Sequence, residues 1–157
     1  MTKAALTMAG LAAAILASTM VARAETVAEK KQRAAIDEAA AKAAGDIKDC
    51  GKTFKVTFDW KAFDSLDWKK LGREKTDYYD SERNNLAHLG EGLNTLCGDK
   101  DYKAALAKIS TIVYRTTNND QIWVKAAISG ATMTLDNYSF GSTRGASDYS
   151  SAAKAAL

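Results

Sequence analysis

The chain has 157 residues, with 22 Lys and Arg against 19 Asp and Glu, one histidine, two cysteines and no proline. That is one domain's length, enough for a real core. No dense Lys/Arg stripe with interleaved aromatics is present, which argues against a nucleic-acid partner. One histidine and two cysteines that would be bridged cannot build a typical zinc site, and no EF-hand spacing, P-loop or dinucleotide fingerprint is present, so no metal and no cofactor are expected.

Residues 1–24, MTKAALTMAGLAAAILASTMVARA, read as a secretory leader. Lys3 supplies the positive start, Leu11 to Val21 form an apolar run too short to span a bilayer, and Ala22-Arg23-Ala24 fits the small-x-small cleavage rule. The expectation is export to the periplasm or beyond, cleavage after Ala24, and no stable membrane insertion afterwards. Cleavage removes Lys3 and Arg23 from the 22 basic residues, leaving 20 against 19 acidic ones. In an oxidising compartment Cys50 and Cys97 are expected to form one structural disulfide; the alternatives are a buried thiol or a redox pair, and Cys-x-x-Cys is missing.

Residues 25–48 are rich in Ala, Lys and Glu, with Glu29/Arg33 and Glu38/Lys42 at i,i+4 spacing. Only Val27, Ile36 and Ile47 are bulky and apolar, which predicts a mostly solvated, loosely attached helix. A single α+β domain over 49–140 follows. KTFKVTFDW (52–60) alternates Phe54, Val56, Phe58 and Trp60 against Lys55, Thr57 and Asp59, the pattern of a half-buried strand. Phe63, Leu66, Trp68 and Leu71 then fit a short helix capped by Asp64 or Ser65 and ended by Gly72. Asp-Trp-Lys occurs at both 59–61 and 67–69, but the copies fall on different elements.

A longer helix begins near Thr76 or Asp77. Leu86, Leu89, Leu93 and Leu96 form one apolar stripe that reaches Cys97 and stops at Gly98. Gly90 and Gly92 lie within it, so either another element packs closely there or the helix bends. Asp99 is the expected cap of a further helix, with Tyr102, Leu106 and Ile109 inward. Then come three β-rich segments, STIVYRTT (110–117), QIWVKAAIS (121–129) and ATMTLDNYSF (131–140), joined by a turn at 118–120 and by Gly130. Residues 141–157 are small and polar, predicting a flexible tail or a marginal helix from about Ser147.

The order of segments predicts an α+β fold. It would have a four-stranded antiparallel sheet, made of the early strand plus a C-terminal three-stranded meander. Helices would pack on one face, and one disulfide would join the early strand to the Leu-striped helix.

His88 points away from the Leu stripe, and neither G-x-S-x-G nor a papain-like cysteine context is present. Asp59, Asp64, Asp67, Asp77, Asp80, Glu82 and Glu91 offer carboxylates, but nothing singles out a pair. The aromatics carry more weight. Trp123, flanked by Tyr114 and Lys125, would suit stacking on a sugar or anchoring a protein if its sheet face is uncovered; otherwise it packs under the first helix or the tail. Trp68 keeps a smaller claim. These features suggest a small exported, non-catalytic binding protein whose partner is another envelope protein, as for an inhibitor, immunity or adaptor protein. A module for peptidoglycan or another cell-wall glycan is the alternative, and a carboxylate-dependent hydrolase a second.

Overall fold

The computed structural model describes residues 25–72, 74–138 and 143–157; the predicted leader lies outside them. Helix α1 (Val27–Asp46) begins at Thr26, whose Oγ1 accepts the Glu29 amide at 3.1 Å. Strand β1 (Lys55–Phe58) leads into the short α2 (Trp60–Asp64), capped by Asp59. A 3₁₀ turn (Lys75–Tyr78) runs into α3 (Tyr79–Leu96), and α4 (Lys100–Leu106) is capped by Asp99, as its sequence suggests. Strands β2 (Thr111–Thr117), β3 (Val124–Ser129) and β4 (Thr132–Tyr138) follow, then α5 (Ala146–Ala156).

The fold is α+β with four strands, but the sheet is mixed rather than antiparallel. Its order is β1-β2-β4-β3. β1 runs parallel to β2 and β2 parallel to β4, and only β3 and β4 are antiparallel. The expected meander therefore fails at one step: β3 passes over to the edge, and β4 folds back between β2 and β3. Side-chain supply explains the choice. β2 and β4 each bury every second residue, Ile112, Tyr114 and Thr116 on one and Met133, Leu135 and Asn137 on the other. β3 offers Lys125, Ala126, Ala127 and Ser129, too little apolar surface for a central place, and Ile128 stays 37% exposed. The chain between β2 and β3 has to cross two strand spacings, about 10 Å, well within reach of residues 118–123. Gly130, at φ +57°, makes the tight return from β3 to β4.

The buried residues of the sheet meet α3, whose Leu86, Leu89, Leu93 and Leu96 are 0–2% exposed. The two glycines of α3 mark where other helices come closest. A Cβ on Gly90 would lie 3.0 Å from the Ala43 Cα and carbonyl oxygen of α1, and a Cβ on Gly92 would lie 2.3 Å from the Ala146 carbonyl oxygen of α5. Close packing, not a bend, is thus the reason for both. It also corrects the expectation of a solvated first helix. Ile36, Ala40 and Ala43 are 0–2% exposed, because alanines at this spacing let α1 approach α3 where bulky residues could not. The final segment is likewise anchored, with Tyr149 and Ala153 fully buried on α5.

Cys50 and Cys97 are joined, with Cα atoms 4.7 Å apart, tying the start of the β1 segment to the end of α3. An ionic cluster fixes the other end of α1. Arg33 reaches Asp64 at 2.6 Å, and Lys75 reaches Glu29 at 3.0 Å. The Lys75 hydrogen bond holds the Glu29 carboxyl below its ordinary value. Burial alone would raise Asp64, but hydrogen bonds from Arg33 and Lys75 outweigh it and hold that carboxyl low too. Burial first, then the Glu29 charge, push the Tyr79 phenol up to about 12.

Candidate functional site

Alternating residues bury one face of β1, β2 and β4, and Thr57, Val113, Thr134 and Ala127 lie in a row across the other. Two edges remain, β3 and β1. Beside β1 lies a groove of about 760 Å³, walled by the C-terminal half of α1 and the residues entering β1. Ala41, Ala44 and Gly45 form one wall, and Thr53, Phe54 and Val56 the other. Lys48, Lys52 and Lys55 also line it, and among the described residues no carboxylate does.

The strand wall has a definite hydrogen-bonding character. The Lys55 amide donates to the Ser110 carbonyl at 3.0 Å and the Asp59 amide to the Tyr114 carbonyl at 2.8 Å. In a parallel ladder the N–H and C=O of one residue point the same way, and successive residues alternate. Lys55, Thr57 and Asp59 therefore face β2, and Phe54 and Val56 turn their backbone groups outward, where no described residue bonds them.

The helix wall is equally informative. Three glycines lie within helices among the described residues, and packing accounts for Gly90 and Gly92. Gly45 has right-handed helical backbone, and a Cβ there would have nothing within 4 Å. Neither backbone conformation nor crowding requires glycine at this position, although glycine weakens a helix. Its lack of a side chain leaves the groove open. Lys52 is committed to the frame: its Nζ donates to the Ala107 and Ile109 carbonyls at 2.8 and 2.6 Å. Lys48 and Lys55 are exposed, and neither forms an ion pair among the described residues.

The residues singled out from sequence do not come together as one site. Trp123 is 56% exposed, with the Arg144 guanidinium carbon 3.4 Å from its ring centroid. Lys125 is exposed on β3, opposite Asp136 of β4. Tyr114 is not beside them on an open face. It is fully buried, because it shares the alternation of Ile112 and Thr116 that faces α3. Trp68 packs against Phe63 and Tyr78, with centroids 4.7 and 5.0 Å away. The helix expected around it forms one turn earlier, since Asp59 rather than Asp64 or Ser65 accepts the capping amide, that of Ala62, at 3.0 Å.

Tyr114 belongs instead to a buried polar cluster at the C-terminal ends of β2 and β4. Its hydroxyl donates to Glu82 of α3 and accepts from the Asn137 amide at 2.6 Å. Thr116 donates to the other Glu82 oxygen at 3.2 Å, and Tyr149 donates to Asn137 Oδ1 at 3.3 Å. Asn85 accepts the Arg144 backbone amide at 2.7 Å. Burial, followed by the Glu82 charge, pushes the Tyr149 phenol well above its ordinary value. The cluster links α3, β2, β4 and α5, and it can form only when Thr116 and Asn137 are neighbours, as the parallel register makes them. Its chemistry is that of a specificity device for strand order.

The other carboxylates considered as catalysts also have structural partners. Asp67 accepts the Lys70 amide at 3.2 Å and Asp77 the Glu74 amide at 3.2 Å. Asp80 pairs with Arg83, and Glu91 lies 3.2 Å from His88 Nδ1. Among the described residues no group of three His, Cys, Asp or Glu side chains could hold a metal ion, and no helix is long and apolar enough to cross a membrane.

No family model matches the chain, and no curated protein or solved structure is significantly similar to it. The groove is the part that sequence reasoning missed. Its available signal was a glycine inside an otherwise alanine-rich helix, followed by lysines at 48, 52 and 55 where that helix hands over to the strand.

Proposed function

We propose that this is an exported, non-catalytic binding protein whose partner is another protein, held as an extended segment along the free edge of β1. The observation that carries the reading is the groove itself, with outward backbone groups of Phe54 and Val56 on one wall and a side-chain-free position, Gly45, on the other. Strand addition to a sheet edge draws affinity from main-chain hydrogen bonds and specificity from pockets beside the edge. The leader at residues 1–24 would place the protein in the periplasm or outside the cell, where its partner would be an envelope or secreted protein.

A photo-crosslinking side chain placed in the intact protein, in cells, tests the reading. Placed at Ala44 or Thr53 it should capture one discrete protein, and Gly45→Leu should abolish the product. Equal capture from Ser129 on the far edge, or indifference to Gly45→Leu, would contradict it.

A glycan-binding reading draws on one observation, the 56% exposure of Trp123. Stacking on a sugar ring there should be lost in Trp123→Ala, measured as retention on purified peptidoglycan. The carboxylate hydrolase has the least support, since each carboxylate considered already has a structural partner.

A further inference from the structure

We infer that the segment taken up by the β1 groove carries an acidic side chain next to an aliphatic residue. The inference rests on the protein-binding reading above and names the chemistry of its partner. Three features of the groove lead to it. The outward N–H and C=O groups of Phe54 and Val56 repeat along the wall in the pattern an extended backbone satisfies. Ala41, Ala44 and Gly45 are small and leave room opposite them for an aliphatic side chain. Among the described residues, Lys48 and Lys55 stand at this groove without an acidic partner, and no carboxylate lines it.

Charge also selects among occupants. A second copy of the chain could offer its own β1, but it would bring Lys48, Lys52 and Lys55 against the same three lysines. Like charges held at close range oppose that pairing, and they favour an acidic segment. A basic or neutral segment gains only the backbone bonds. Lys48 also follows the C-terminal end of α1, where a cation suits the helix dipole. The two roles separate in experiment, because the dipole role moves thermal stability and the groove role moves binding.

The test uses the disulfide-bonded protein lacking the leader and two displayed libraries of random eight-residue peptides, one with free C-termini and one embedded between fixed flanks. Selection on the wild type is counter-selected on Gly45→Leu, a variant with space for its side chain at the point of attachment. The expected result is enrichment of acidic residues beside Val, Ile or Leu. Acidic enrichment in both libraries supports the inference, whereas Gly45-dependent enrichment only in the free-ended library would assign the contact to a chain terminus and overturn it. The selected peptides should bind Lys48→Glu/Lys55→Glu at least tenfold more weakly, with circular dichroism unchanged. Peptides that depend on Gly45 but show no acidic bias, or that ignore the lysine substitutions, would overturn the inference and leave the protein-binding reading standing. No Gly45-dependent enrichment in either library would overturn both.

Discussion

One substitution, glycine to alanine, should give three different results at the three described helical glycines. Helix propensity alone favours Ala by about 1 kcal/mol in a helix interior, and by less in a last turn. At Gly45 the new Cβ has nothing within 4 Å, so propensity acts unopposed. Gly45→Ala should stabilise by about 0.5–1 kcal/mol, raising Tm by about 2–4 °C for a domain of this size. At Gly90 the Cβ falls 3.0 Å from two backbone atoms of Ala43 and 3.2 Å from the Asp46 Cβ. The α1–α3 contact must open by a few tenths of an ångström, and overpacking of about 1–3 kcal/mol should exceed the propensity gain. At Gly92 the Cβ falls 2.3 Å from the Ala146 carbonyl oxygen, and backbone cannot step aside as a side chain can. Helix α5 must shift, which strains Tyr149 and its bond to Asn137, so Gly92→Ala should cost at least about 3 kcal/mol. Urea unfolding with the m-value checked for constancy reads all three. A Gly92→Ala protein as stable as the wild type, or a destabilised Gly45→Ala, would refute the packing on which the groove is drawn.

Removing the disulfide by Cys50→Ser with Cys97→Ser should lower stability by roughly 4 kcal/mol, from the chain-entropy model for a sequence separation of 47. A loss under about 1 kcal/mol in chemical denaturation would show the bridge to be marginal. Glu82→Ala should cost about 2–4 kcal/mol, because the Tyr114 and Thr116 hydroxyls lose their buried acceptor, whereas a solvated Glu82 would make the change nearly silent. The lowered carboxyls of Glu29 and Asp64 contribute stability that is present above their unfolded pKa values and lost as pH falls through the folded ones. Lys75→Met should therefore destabilise at neutral pH, and its difference from wild type should shrink as pH falls through the lowered folded-state values of Glu29 and Asp64. A difference that does not change with pH would assign it to packing of the lysine stem.

Much of the fold was legible because burial imposes periodicity. The Leu86-to-Leu96 stripe, the Phe54-Val56-Phe58 alternation and the Asp99 cap all read directly into helix, strand and helix start. Strand order was not legible in the same way, since alternation states which face of a strand is covered and not which strand lies beside it. The information is present but distributed. Alanine and lysine in 124–129 make an edge strand, and Thr116 with Asn137 marks two strand ends that share the Glu82 cluster. Glu82 itself sits four residues before Leu86, on the buried stripe of α3, where a carboxylate is conspicuous. Burial of the first helix is not legible from its few bulky residues, because small ones such as Ala40 and Ala43 permit the closest approach. Alternation left open whether the face of Trp123 is covered; it is 56% exposed, whereas Tyr114 is fully buried on the opposite face.

The backbone amide of Val56 offers the most direct test of the account. In uniformly ¹⁵N-labelled protein its hydrogen exchange should be fast in the free state, since it points away from β2. Adding the acidic peptide selected on the groove should slow it at least tenfold, and leave Thr57, already bonded to β2, unchanged. Protection at Val56 with chemical-shift changes at Gly45 is the predicted result. An unchanged Val56 with the largest shifts at Trp123 or on the Thr57–Val113–Thr134 face would contradict it and move the binding surface to the other side of the sheet.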